Sequence, residues 1–212
     1  MRVEDLSFED PRKNLDYDDG LLREAEAGDR GEVLRFWESP SFFAVLGRTC
    51  DPDDDLDAAA CASAGVAVLR RSSGGGTVLQ GPGCLNFSLV LAKARHADMV
   101  SIGRSYAFIL GRVLKALKAC GVDAAFRPVC DLVAESGEMK FSGNAQRRGR
   151  AYVLHHGTIL YDFDLALISA CLKMPPRMPE YRRGRRHADF VANVGIDIAR
   201  FKRELAHAWG VI

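Results

Sequence analysis

The chain has 212 residues, of which 48% are hydrophobic and 27% charged, and its formal net charge is +1. That supplies one large core; the near-neutral balance excludes wholesale nucleic-acid binding, which needs a strongly basic domain, and no apolar run reaches membrane-spanning length. The opening MRVEDLSFED is acidic and polar rather than a secretory leader, and cysteines scattered at 50, 61, 84, 120, 130 and 171 without a CxxC pair read as reduced thiols of a cytoplasmic protein.

In chain order, Asn14 to Ala27 reads as a helix with Leu15, Leu22 and Ala25 on its apolar side. Glu32 to Trp37 and Ser41 to Leu46 read as strands parted by Ser39-Pro40. The acidic run from Asp51 to Asp55 suits the positive end of a helix that continues through Leu56 to Ala60 and stops at Gly65. Val66 to Leu69 reads as a buried strand and Leu85 to Leu91 as another. Ser101 to Cys120 carries the clearest helical period, with Ile102, Tyr106, Ile109, Leu110, Val113 and Leu117 on one face and Gly121 as its stop. Val129 to Ala134 and Tyr152 to Leu160 read as strands; Leu165 to Leu172 and Ile196 to Trp209 read as helices. Strands and helices are intermixed with short connections and no linker, which predicts one α/β domain over residues 1–212 with a mixed sheet flanked by helices.

Four segments carry candidate chemistry. RRSSGGGTV, Arg70 to Val78, puts consecutive glycines after a strand, where bare backbone amides approach an anion or a thin ligand closely. It fits neither the P-loop nor the dinucleotide glycine pattern; the alternative is a tight turn. Gln80-Gly81-Pro82-Gly83 predicts a hairpin turn into the strand from Leu85. Glu138 to Arg148 holds Lys140, a compact point charge suited to phosphate, beside a Ser142-Gly143-Asn144 turn; the alternative is a solvated surface lysine. Adjacent His155 and His156 face opposite sides of a strand and so do not share a metal; one core and one surface histidine is the simpler reading.

Taken together and in order, RRSSGGGTV, KFSGNAQRR and HHGTIL resemble the lipoate–protein ligase A family, within the wider biotin and lipoate protein ligase group. The similarity runs from about Arg48 to Leu160, and Pro179 to Gly195 resembles the tail of the family's catalytic domain. The resemblance implies the α/β fold shared with biotin ligases and related to class II aminoacyl-tRNA synthetases. It implies ATP-dependent activation of lipoate to lipoyl-AMP, then transfer to a lysine of a lipoyl-domain or H-protein-like acceptor. It makes Lys140 the catalytic lysine. Arg70, Ser72, Gly74, Gly75, Gly76, Asn86, Ser142, Gly143, Asn144, His156, Gly157 and Thr158 would line the lipoyl-AMP pocket. Asp131 is assigned to Mg2+ or ribose, since hard oxygen ligands suit magnesium.

The sequence departs from the family at Gln80-Gly81, where His-Asp is common, at Cys84, where Asn follows the glycine, and at Cys130, where Asn precedes the aspartate. Many members carry a C-terminal domain that assists adenylation. A chain of this length is expected to act alone as a monomer, with a separate accessory subunit, or on preformed lipoyl-AMP. The rival reading is an octanoyl or lipoyl transferase of the same fold that works without ATP through a cysteine thioester, with Cys84, Cys130 and Cys171 as candidates. A silent lipoate- or biotin-sensing module is a third. Arg182, Arg183, Arg185 and Arg186, and Arg147, Arg148 and Arg150, form clusters that read either as solvated loops or, one or both, as surfaces that steer an acidic acceptor domain.

Overall fold

In the computed structural model, residues 1–134 and 138–211 are described. The chain runs β1 (Arg2–Asp5), α1 (Pro11–Ala27), β2 (Val33–Trp37), β3 (Phe43–Leu46), α2 (Pro52–Asp55), α3 (Ala58–Ser63), β4 (Ala67–Arg70), β5 (Val78–Gln80), β6 (Cys84–Ala92), α4 (Ile102–Ala119), β7 (Ala124–Arg127), β8 (Asp131–Ala134), β9 (Met139–Arg148), β10 (Tyr152–Leu160), α5 (Leu165–Cys171) and α6 (Ile198–Ala208). A large sheet has the order β1-β2-β6-β10-β9-β8-β7, and a smaller one the order β4-β3-β5. In the large sheet β1 and β2 are parallel and every other neighbouring pair antiparallel, so it is mixed, as expected.

The large sheet is covered differently on its two faces. Leu85, Phe87, Leu89 and Leu91 of β6 join Val153 and Ile159 of β10 against Ile109, Leu110, Val113 and Leu117 of α4 and Phe201 and Leu205 of α6. Full burial of each such side chain contributes about 1.5–3 kcal/mol, so this layer dominates the fold's stability. The other face holds Val90 and Leu154, covered by Leu21, Leu22 and Ala25 of α1. Strand alternation puts Ser88, His156 and Ala145 on that second face too, and it is the face that carries the candidate site.

The helix α1 is fixed by a buried arginine. Arg35 of β2 is fully buried; its guanidinium donates to Asp18 Oδ1 (2.7 Å), Asn14 Oδ1 (2.7 Å), Asn14 O (2.9 Å) and Leu6 O (2.8 Å). Asp18 Oδ2 accepts from Trp37 Nε1 and Ser88 Oγ, so the charge pair is saturated with partners. This network ties the N-terminal segment and α1 to β2 and β6 in the large sheet.

Several expectations change. The Gly81-Pro82-Gly83 turn does not close a hairpin: β5 belongs to the small sheet and β6 to the large one. Gly83 instead packs against the Asp162 backbone so tightly that a Cβ would sit 2.1 Å from Asp162 O, which commits the turn to a crossing between sheets. The helix expected after Asp51 is two short ones, broken at Leu56, whose backbone bridges to Leu172. The strand after Gly65 lies at an exposed edge rather than buried, with Val68 43% exposed. Ile102, placed on the apolar face of α4, is 56% exposed because it lies in the first turn, beyond the sheet. Residues 142–144 form no turn; they lie inside β9, a 10-residue strand paired on both sides.

Candidate functional site

The site lies on the α1 face of the large sheet, beneath the glycine loop. Its centre is set by a bulge. Asp131 pairs with Gly143 and Leu132 with Ser142, but Val133 pairs with Lys140, leaving Phe141 as the extra residue of β9. Strict alternation puts Lys140 on the same face as Ser142 and Asn144. The inserted residue turns it to the face of Asp131 and Gly143. There Lys140 Nζ lies 2.8 Å from Asp131 Oδ1, and Tyr181 donates its hydroxyl to Asp131 Oδ2 at 2.6 Å. A Cβ on Gly143 would sit in ordinary contact with Lys140 Cε and Nζ at 3.4 Å, so the two residues are neighbours on this face.

The backbone of Lys140 is held as well. Its N–H donates to Phe190 O (2.8 Å), and its carbonyl accepts from Ala192 N (2.9 Å). The segment from Pro179 to Ala192 thus flanks the lysine and delivers Tyr181. Within it Arg182 is buried, donating from Nε to Arg185 O and stacking on Phe190, 4.6 Å from the ring centre.

The glycine loop is tied to several elements. Arg71 donates to Ser73 Oγ (3.0 Å), Val45 O (3.2 Å), Gly74 O (2.8 Å) and Gly76 O (2.8 Å), so it satisfies two of the loop's carbonyls from within, while Gly75 O accepts from Cys50 Sγ (3.4 Å). Ser73 Oγ lies 2.6 Å from His156 Nε2, Ser72 donates to Asp19 Oδ1 of α1, and Thr77 donates to Asp55. Arg147 of β9 pairs with the same Asp19 (3.2 Å). Among the described residues, no acceptor takes the N–H groups of Gly74, Gly75 or Gly76. Gly75 adopts φ +89°, and a Cβ there would sit 3.0 Å from the Arg71 guanidinium and 3.9 Å from Ala145, which places the loop directly over β9. Successive free amides over the strand that carries Lys140 can form an anion-binding concavity.

His156 is half-buried, and burial, reinforced by the Arg71 charge, pushes its pKa down to about 3; the ring is neutral at physiological pH. Gly143 N lies 3.3 Å from Thr158 Oγ1, so Thr158 joins the same face. Asn86 pairs in register with Thr158. Gly157 has no room for a side chain: a Cβ would sit 1.9 Å from Asn144 Oδ1 and 2.5 Å from Phe87 Cζ.

Lys140, Gly143, His156, Thr158, Asp131 and the glycines 74–76 therefore come together. Ser142 and Asn144 do not join them: they bond each other on the α4 face, where Asn144 also meets His155 (3.1 Å). Arg70 points to the loop before it, donating to Gly47 O, Arg48 O and Cys50 O, while its neighbour Arg71 enters the site. Asp131 is one carboxylate, and a magnesium ion there would take its remaining ligands from substrate phosphates and water. Both Asp131 oxygens hold protein donors, and no group of three His, Cys, Asp or Glu side chains gathers among the described residues. The residues that sequence reasoning missed are Arg71, Ser73, Asp19 and Tyr181. The doubled Arg-Arg and Ser-Ser left a parity choice open, and Tyr181 is remote in sequence.

The arginine surface is thinner than its count implies. Arg182 is internal, Arg147 turns to Asp19, and Arg148 donates to Met99 O and Ser105. Arg183 and Arg186 stay 77% and 81% exposed. Among the described residues, no helix is long and apolar enough to cross a membrane.

A family model described as the lipoyl protein ligase A/B catalytic domain matches residues 10–208. A Mycoplasma pneumoniae protein named "Probable lipoate-protein ligase A" is 31% identical over 164 residues, covering 77% of this chain and 46% of that protein. The chain spans less than half the length of the curated relatives it matches. Among solved structures, a bi-partite lipoate protein ligase from Thermoplasma acidophilum, described with its E2 lipoyl domain, superposes with TM-score 0.83 at 25% identity, over 100% of this chain and 84% of that one. A lipoate-protein ligase A bound with ATP gives TM-score 0.81 at 26% identity, over 99% of this chain and 83% of that one. The Leishmania major biotin protein ligase, at TM-score 0.55 and 11% identity over 98% of this chain and 72% of that one, shares the fold.

Proposed function

The chain belongs to the lipoyl protein ligase A/B catalytic-domain family, and from that premise we propose that it activates lipoate with ATP and passes the lipoyl group to a lysine of a lipoyl-domain or H-protein-like acceptor. The observation that carries this is a free-amide glycine loop over β9, on the face of the sheet to which a bulge in that strand turns Lys140. In the first step a lipoate carboxylate oxygen attacks the α-phosphorus of ATP. A P–O bond forms to give lipoyl-AMP, and pyrophosphate leaves with the bonding pair. In the second, the acceptor's lysine amine attacks the acyl carbon, the C–O bond to AMP breaks, and the amide nitrogen loses a proton. Lys140 and the amides of Gly74–Gly76 stabilise charge that grows on phosphate and acyl oxygens, donors already in place before the reaction begins. Lys140 changes partner from Asp131 to the phosphate; Asp131 and Tyr181 hold it in position until then.

The thiols argue against the transferase reading. Cys84 and Cys171 are fully buried, and burial pushes both thiols up, Cys171 to about 11. Burial and the Asp131 carboxylate push Cys130 up as well. A thioester nucleophile needs the opposite shift. We read the chain as one catalytic unit that acts as a monomer.

The test is the intact mass of a lipoyl-domain acceptor incubated with the protein, lipoate, ATP and magnesium. Wild type and Cys130→Ser add one lipoyl group, and Lys140→Ala slows this by about a hundredfold or more. Transfer without ATP that Cys130→Ser abolishes would establish the transferase instead. Transfer from preformed lipoyl-AMP but not from lipoate and ATP would assign adenylation to a separate accessory subunit.

A further inference from the structure

We infer that His155, on the far face of the sheet from the pocket, is a positioning residue for Lys140. Its catalytic consequence rests on the ligase reading; its geometry does not. His155 is fully buried, and its ring is held at both nitrogens. Gln146 Nε2 lies 3.2 Å from Nδ1, and Asn144 Oδ1 lies 3.1 Å from Nε2.

The directions of these bonds follow from the surroundings. Gln146 Oε1 lies 3.5 Å from an Arg148 nitrogen and 2.9 Å from Ser105 Oγ, whose single proton is shared with Ile102 O at 2.8 Å, so the direction is set from the Asn144 side, and Gln146 turns its NH2 to the ring to match it. Asn144 donates its own NH2 to Cys130 O (2.8 Å) and Ser142 Oγ (3.1 Å), so its oxygen faces the ring. His155 must then accept at Nδ1 and donate at Nε2, which one neutral tautomer alone does. The chain of bonds runs one way, from Gln146 through His155 and Asn144 to the Cys130 carbonyl.

That carbonyl belongs to the peptide that enters Asp131. Residues 128–130 lie in a turn before the β8 ladder begins, so Asn144 supplies the anchor that the ladder does not. Asp131 then fixes Lys140. Gly157 completes the device, because any side chain there would displace Asn144 Oδ1. The HHG and GNAQ motifs thus meet through the sheet: His156 serves the pocket, while His155 sets the entrance of the strand that holds the lysine.

The test compares wild type with His155→Phe and His155→Gln. Phenylalanine keeps the ring packing against Phe87 and Tyr106 without a donor; glutamine puts an amide N–H where Nε2 stood. The first readout needs no substrate: the rate at which an amine-reactive reagent modifies Lys140, measured by peptide mass spectrometry against Lys115 and Lys118. His155→Phe is expected to raise the Lys140 rate about threefold or more while the reference lysines keep theirs, the scale of loosening one charge-assisted contact. His155→Gln returns it close to wild type. With lipoate and ATP, His155→Phe lowers kcat for lipoyl-AMP formation by about tenfold and leaves both KM values within about twofold, because the lysine is misplaced rather than the substrates. If His155→Phe does not fold, Gln146→Leu, which removes the donor to Nδ1, is expected to raise Lys140 labelling in the same selective way. Unchanged Lys140 labelling, or equal acceleration of every lysine, overturns the inference. A folded wild type that makes no lipoyl-AMP sinks the ligase reading, and the labelling result still decides the role of His155.

Discussion

Tyr181 shows how much a single hydroxyl sets. It holds one oxygen of Asp131 so that the other faces Lys140, at 2.6 and 2.8 Å. Burial and the adjacent Asp131 carboxylate both push its phenol up, so it stays a donor across the physiological range. A hydrogen bond to a charged group is worth about 1.5–3 kcal/mol. Tyr181→Phe is therefore expected to slow single-turnover lipoyl-AMP formation by about tenfold with little change in lipoate affinity; an unchanged rate counts against the assigned role. At this scale the residue types alone left the choice open: a lysine reads as well as a solvated surface group and consecutive glycines as a tight turn. Lys140 and the three glycines were singled out only by the order of motifs that carries the family resemblance. Arg71 and Ser73 were not separable from Arg70 and Ser72, since doubled residues leave only parity to distinguish them. Ser142 and Asn144 were read as part of a turn completing the pocket, whereas they lie in β9 on the face away from Lys140, because a bulge carries no mark in the sequence.

The helices were easier to read than the strands. The period of α4 survives in its buried residues Tyr106, Ile109, Leu110, Val113 and Leu117, because burial against one face of a sheet imposes that spacing. The strand β9 was hidden by Gly143 and Asn144, poor strand formers that packing retains for local reasons. The strand β10 carries a measurable signature. Burial pushes His155 down to about 3, and His156 is lowered similarly. The unfolded chain takes up protons below pH 6.5, and the folded strand does not until about pH 3, so stability falls as pH drops through that window. Each histidine contributes a slope of about 1.4 kcal/mol per pH unit, with His155, the fully buried ring, nearest that limit. Urea titrations between pH 7 and pH 4.5 should show wild type losing stability faster than His155→Gln. Parallel curves would refute the assignment.

Across the whole molecule, the pocket is a seam between two sheets that the chain crosses at Gly81-Pro82-Gly83, with α1 braced across its end by the Arg35 network. Removing one partner from a buried, fully bonded charge pair costs about 3–5 kcal/mol. Arg35→Ala should lower the urea midpoint accordingly and loosen Asp19, the aspartate shared by Ser72 and Arg147. Stability within about 1 kcal/mol of wild type would show that the N-terminal segment is not braced in this way. The loop at this seam has a further property. Arg71 and Cys50 occupy its carbonyls, and the hydrogens left over belong to the main chain. Proline apart, no exchange of side chains at positions 74 to 76 deletes those donors. Uncharged variation there acts mainly through bulk and backbone angle, so a saturation library across the loop would read as a map of permitted shapes, with proline depleted because it lacks the donor and acidic residues depleted because they repel an anion.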